Sequence, residues 1–154
     1  MLTCLPRFLC SWDFRVEGAS VEPATVEFDF LLEKGTIRLG SNVMRVTKHG
    51  IFSGRWTLDL GAETVATAEK PNSFFRSFEV LVDGKSLTVE AQNPFGRAFD
   101  IRVRGETIGT IYPAHGFTRR AFVECRPEVS EAAQLFCFWL AALTWRRAAN
   151  SQAQ

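Results

Sequence analysis

Leu135-Phe136-Cys137-Phe138-Trp139-Leu140-Ala141-Ala142-Leu143-Thr144-Trp145 is an eleven-residue run in which only Thr144 is polar. A helix that is apolar on every side must be enclosed, either by protein or by lipid. The flanks support a helix over 127–147. Pro127 suits the first helical position, where a missing N–H costs nothing. Glu128 and Glu131 lie near the positive end of the helix dipole, and Arg146 and Arg147 near its negative end. The tail 148–154 is small and polar and is expected to fray.

Upstream of that run the pattern is β. Val26-Glu27-Phe28-Asp29-Phe30 alternates as a half-buried strand does. Lys34-Gly35 supplies a turn, Thr36 to Leu39 a return strand, and Val43 to Thr47 another. Three hairpins follow, each opening on an aromatic residue, turning on glycine and stopping at proline. They run from Trp56 through Gly61 to Pro71, from Phe78 through Asp83-Gly84 to Pro94, and from Phe99 through Gly105 to Pro113. Asp-Gly between alternating runs is a strong hairpin signal, because both positions tolerate positive φ. A last strand, Phe117 to Cys125, leads into the helix. The expected fold is mainly β: an antiparallel barrel of hairpin repeats wrapped around a hydrophobic C-terminal helix.

No linker divides the chain, and its 154 residues suit one domain. The segment 1–25 is the least defined; Trp12-Asp13-Phe14-Arg15-Val16 alternates like a strand and favours membership of the barrel. Fourteen phenylalanines against one tyrosine are expected mostly in the core, since phenylalanine has no polar tip.

A net charge of +1 provides no global field for nucleic acid or anionic membranes, so any electrostatic partner must meet a local patch. Aromatics on the apolar side of alternating strands also speak against single-strand nucleic-acid binding, which needs exposed stacking platforms. Cys4, Cys10, Cys125 and Cys137 show no CxxC spacing and no neighbouring histidine, so they are expected to be buried free thiols in a reducing compartment, with no metal or cofactor. Pro6 and Arg7 interrupt the place of a secretory apolar core, and a cytoplasmic location is expected.

The chain resembles the tubby C-terminal-like superfamily, which includes tubby proteins, phospholipid scramblases and plant LURP-one-related proteins. The resemblance spans roughly Val26 to Arg147. It rests on Trp56-Thr57-Leu58-Asp59 with Val65-Ala66-Thr67-Ala68-Glu69-Lys70, on Phe78 to Ala91, on Ile108-Gly109-Thr110-Ile111 and on the helix. It implies a closed β-barrel threaded by its C-terminal helix. The chain is shorter than a full twelve-stranded member, which leaves closure of the barrel open. No acidic loop suits calcium, so scramblase activity is not carried over. Nor is the tubby phosphoinositide site, whose residues have no clear equivalent.

Candidate site residues are few. Arg102 and Arg104 lie opposite Phe99, Ile101 and Val103 on one hairpin, and Arg119-Arg120 on a later strand. Converging, these four arginines would suit a lipid phosphate or an acidic protein. Otherwise they form a solvated face with Asp100 and Glu106 as counter-charges. No catalytic constellation is evident. His49 and His115 both adjoin glycine in expected loops, and nothing pairs them with Cys10 or Cys125. The expected function is that of a non-catalytic binding module, peripheral to a membrane through anionic phospholipid or bound to a protein partner, with no nucleic acid. Two alternatives stand beside it. One is a tail-anchored protein, although eleven apolar residues are few against the about 20 a bilayer needs. The other is a carrier of a small apolar ligand.

Overall fold

The computed structural model describes residues 1–153. Twelve strands precede one helix: β1 (Leu2–Pro6), β2 (Phe14–Glu17), β3 (Ala24–Phe28), β4 (Gly35–Leu39), β5 (Asn42–Lys48), β6 (Arg55–Leu60), β7 (Glu63–Glu69), β8 (Ser77–Val82), β9 (Lys85–Ala91), β10 (Phe99–Val103), β11 (Glu106–Pro113), β12 (Ala121–Cys125) and α1 (Glu131–Gln152). Each strand pairs antiparallel with its sequence neighbours. The pairs Leu2↔Val123 and Cys4↔Ala121 join β1 to β12 and close the barrel. The segment 1–25 therefore contributes two staves, and closure is complete.

Alternation decides which face turns inward. In β8, Phe78, Val80 and Val82 are buried while Glu79 and Leu81 face water. Across the hairpin Phe78 meets Val89 and Val80 meets Leu87, so both strands send their apolar set to one side. The turns at Asp83-Gly84 and Arg104-Gly105 both place two successive residues at positive φ, as a tight hairpin turn requires.

The space inside the barrel belongs to α1. Leu135 through Leu143 have no exposed surface. Trp139 stacks on Phe28 at 4.7 Å and 8°, and Phe138 meets Phe14 edge-on at 5.0 Å. Gly35 makes room for this packing, because a Cβ there would collide with the Glu27 carbonyl and the Trp139 indole nitrogen. The helix is thus the core of the barrel. Among the described residues, no helix is long and apolar enough to cross a membrane.

Element boundaries depart from the sequence reading for identifiable reasons. The helix starts at Glu131, not at Pro127, because Ser130 caps it. The Ser130 Oγ accepts the Ala133 N–H at 3.2 Å. Glu131 fixes that end by accepting from Ser20 N (2.8 Å) and Ser20 Oγ (2.9 Å). The other end runs to Gln152, so 148–152 is helical, sustained by Ala148 and Ala149. Arg146 and Arg147 accordingly lie inside the helix, not at its negative end. Strand β3 stops at Phe28 because Asp29 turns the chain. Its Oδ1 accepts from Leu31 N (3.0 Å) and Leu32 N (2.9 Å). Strand β12 begins at Ala121, since Thr118 Oγ1 accepts from Arg120 N at 3.0 Å and keeps 117–120 in a loop.

In an up-and-down barrel, loops that follow odd-numbered strands share one end and loops that follow even-numbered strands share the other. The first end is here the crown and the second the base. Chain leaving β12 enters the barrel from the base, so the C-terminal end of α1 emerges at the crown.

Candidate functional site

The two ends differ in kind. At the base, four connections are two-residue turns: 40–41, 61–62, 83–84 and 104–105. At the crown, all six connections are longer loops: 7–13, 29–34, 49–54, 70–76, 92–98 and 114–120. Every crown loop displays an exposed phenylalanine, namely Phe8, Phe30, Phe52, Phe74 with Phe75, Phe95 and Phe117. Five of these are more than nine-tenths exposed. Leu9, Leu31, Leu32 and Ile51 stand exposed beside them. Among the described residues, no base loop carries an exposed phenylalanine. Half of the fourteen phenylalanines therefore leave the core to which the sequence reading assigned them. With these rings facing solvent, core-facing aromatics no longer speak against nucleic acid.

Charge is divided along the same axis. The crown loops with residues 144–153 hold nine arginine or lysine side chains against three carboxylates. The rest of the chain holds nine against fourteen. A net +1 thus conceals a basic crown on an acidic body.

Several of these cations anchor the loops through neutral carbonyls. Arg146, buried where α1 reaches the crown, donates to the carbonyls of Asp29 (2.6 Å) and Leu32 (2.8 Å) and lies over the Phe28 ring. Arg76 donates to Gly96 O at 2.6 Å and Pro94 O at 3.1 Å. Arg97 donates to Gly116 O at 3.3 Å, Arg119 to Ser11 O at 3.0 Å, and Lys70 to the Phe75 carbonyl. Carbonyl acceptors hold a guanidinium in place without cancelling its charge. The Lys70 pKa is lowered accordingly, by burial first and then by the Arg147 and Arg76 charges. Arg7, paired with Glu27 at 2.8 Å, and Arg147 are the neutralised exceptions; Arg147 bonds Glu33 together with Lys48. Burial of Glu33 opposes its ionisation, but those two cations outweigh burial and lower its pKa.

The four arginines named from the sequence do not form one patch. Arg102, on the barrel wall, faces Asp100 (3.3 Å) and Glu90 (3.8 Å). Arg104 sits in a base turn, and Arg119 and Arg120 in the crown loop 114–120. The expected counter-charge Asp100 is in place, whereas Glu106 pairs with Arg126. Both histidines lie in crown loops. His49 Nε2 contacts Thr57 Oγ1 at 2.7 Å, and His115 Nδ1 accepts from Phe117 N at 3.3 Å. All four thiols are free: Cys4 and Cys137 are buried, Cys125 is half-buried, and Cys10 is exposed at the crown. Burial raises the Cys4, Cys137 and Cys125 pKa values, away from a reactive thiolate. Among the described residues, no group of three His, Cys, Asp or Glu side chains is placed to hold a metal.

A signal for the crown does exist in the sequence. Phe8, Phe30, Phe52, Phe74, Phe95 and Phe117 recur at a near-constant interval, once per hairpin. No protein-family model, curated protein or solved structure matches this chain.

Proposed function

We propose that this barrel is a non-catalytic, peripheral membrane-docking module that sets its crown on an anionic bilayer. The observation that carries the reading is the placement of an exposed phenylalanine on all six loops of one end, above an excess of positive charge. Apolar tips on separate loops can enter the headgroup boundary one by one, while arginine and lysine remain at headgroup level. A ring of tips meets a planar bilayer at any rotation about the barrel axis. A protein partner usually meets one contiguous patch. Single-stranded nucleic acid would use the phenylalanine rings, but Leu9, Leu31, Leu32 and Ile51 offer no face for stacking. The cytoplasmic leaflet, with its negative surface potential, is the membrane that suits such a crown. Kinship with the tubby-like barrels is proposed on separate grounds: twelve strands closed on a C-terminal helix is the architecture that the resemblance implies.

Flotation of the full chain with phosphatidylcholine–phosphatidylserine vesicles tests the reading. Wild type is expected to float, more strongly at low salt. Fully burying a phenylalanine contributes about 1.5–3 kcal/mol, so partial burial of each tip corresponds to roughly a tenfold change in partitioning. The variant Phe30→Ser/Phe52→Ser/Phe95→Ser/Phe117→Ser should therefore lose at least about a hundredfold, while Leu81→Ser on the barrel wall changes nothing. Absence of wild-type flotation at both salt concentrations overturns docking. So would equal flotation of the quadruple variant, and its selective loss of oligonucleotide binding would move the reading to nucleic acid.

A further inference from the structure

Between the crown loops and the end of α1 lies a cavity of about 520 Å³, within the size range of small-ligand sites. Three guanidinium side chains line it, Arg76, Arg97 and Arg119, and among the described residues no carboxylate does. None of the three takes part in a salt bridge among the described residues, in contrast to Arg7, Arg15, Arg102, Arg126 and Arg147. Their origin is regular. Each closely follows a crown phenylalanine, as Phe74-Phe75-Arg76, Phe95-Gly96-Arg97 and Phe117-Thr118-Arg119, in three adjacent loops. The other three loops have Cys10, Leu32 and Gly54 at that place. The repeat thus concentrates cations on one sector of the ring.

These side chains are also held in position. Arg119 lies over the Trp12 ring at 4.1 Å and Arg97 over Trp145 at 4.9 Å, while the carbonyls of Ser11, Gly116 and Gly96 each take one donor. A guanidinium carries five N–H donors, so most remain for a ligand. Rigid forks converging without a carboxylate suit an oxyanion with several acceptor oxygens and more than one charge. The Arg97 pKa is lowered by burial and, after that, by the nearby Arg119 charge. An anion between them would relieve that repulsion.

We propose that this cavity binds a phosphate monoester dianion carried by a lipid headgroup of the bilayer on which the crown docks. The proposal rests on the docking reading. The source is argued from the walls: Phe95 and Phe117, two of the membrane-facing tips, also line the cavity. Its mouth therefore opens where the tips meet lipid. The free-phosphate source, a soluble phosphomonoester, shares the same chemistry and is separated by experiment.

Two arms divide the outcomes. In the first, the full chain is floated with phosphatidic acid vesicles and with phosphatidylserine vesicles of matched surface charge. In the second, glycerol 3-phosphate is titrated while tryptophan fluorescence is followed, since Trp12 and Trp145 line the cavity. Phosphatidic acid should be preferred by about tenfold, and Arg97→Gln/Arg119→Gln should abolish the preference and weaken glycerol 3-phosphate by at least about tenfold per arginine. Arg97→Lys/Arg119→Lys retains charge but not the planar fork. It should keep phosphatidylserine flotation and lose the preference, which separates specific recognition from misfolding. The variant Phe8→Ser/Phe30→Ser/Phe52→Ser, whose tips lie outside the cavity, should weaken flotation yet still bind glycerol 3-phosphate. Equal flotation on both vesicles with no response to glycerol 3-phosphate overturns the site and leaves docking standing. A glycerol 3-phosphate response without flotation on either vesicle overturns the lipid source and, with it, docking.

Discussion

Truncating Trp139 to alanine should be among the most damaging single changes available to this barrel. The indole has no exposed surface, stacks on Phe28 at 4.7 Å and donates its N–H to the Glu27 carbonyl at 3.3 Å. Replacing a buried tryptophan by alanine costs about 3–5 kcal/mol, and the lost ring stack and hydrogen bond place this site at the upper end, about 4–5 kcal/mol. Against a domain stability of about 5–15 kcal/mol that is a large share. For a chain of this length it should lower Tm by roughly 10–20 °C. Urea denaturation followed by the remaining tryptophans, Trp12, Trp56 and Trp145, reads the change as a lower midpoint with unchanged slope. Trp139→Phe retains a stacking ring and should cost about 1–2 kcal/mol. A loss below about 1 kcal/mol for Trp139→Ala would refute the packing of α1 as the barrel core.

Two further outcomes follow from the crown and the core. Arg146→Met leaves the carbonyls of Asp29 and Leu32 without their donor. The loss should be about 2 kcal/mol of stability. It should also speed protease cleavage within 29–34, seen by mass spectrometry of timed digests. Under native conditions Cys10 should react with an aromatic disulfide reagent at the rate of a free thiol, while Cys4 and Cys137 react only after denaturant is added. Fast native reaction at either buried thiol would contradict the closed barrel.

The helix is legible because an eleven-residue apolar run leaves no polar face to turn outward, and the Asp83-Gly84 hairpin because its turn chemistry is local. The helix start is harder to read. Pro127 and Ser130 both carry start signals, and the contact of Glu131 with Ser20, far away in sequence, favours the second. The crown escapes an argument from burial, since phenylalanine in an alternating strand and phenylalanine on a loop tip look alike until the turns are placed. Phe30-Leu31-Leu32 reads as a blurred strand end for that reason. Recurrence once per hairpin is the feature that separates the two. The arginine cavity is harder still. Arg76, Arg97 and Arg119 stand a full hairpin apart in sequence and become neighbours only when adjacent hairpins pair, so no local pattern brings them together.

The position of α1 in the chain has a consequence for biosynthesis. Ribosomes deliver all twelve strands before the element that fills them, so the nascent barrel has an inward-facing Phe14 before its edge-on partner Phe138 exists. Closure also needs Leu2 to find Val123 across nearly the whole length of the sheet. Long-range pairings of this kind form slowly and leave apolar edges open to aggregation in the interval. Completion of the barrel thereby waits on α1 leaving the exit tunnel, and a chain stalled before α1 becomes a client for holding chaperones instead of a partly working domain.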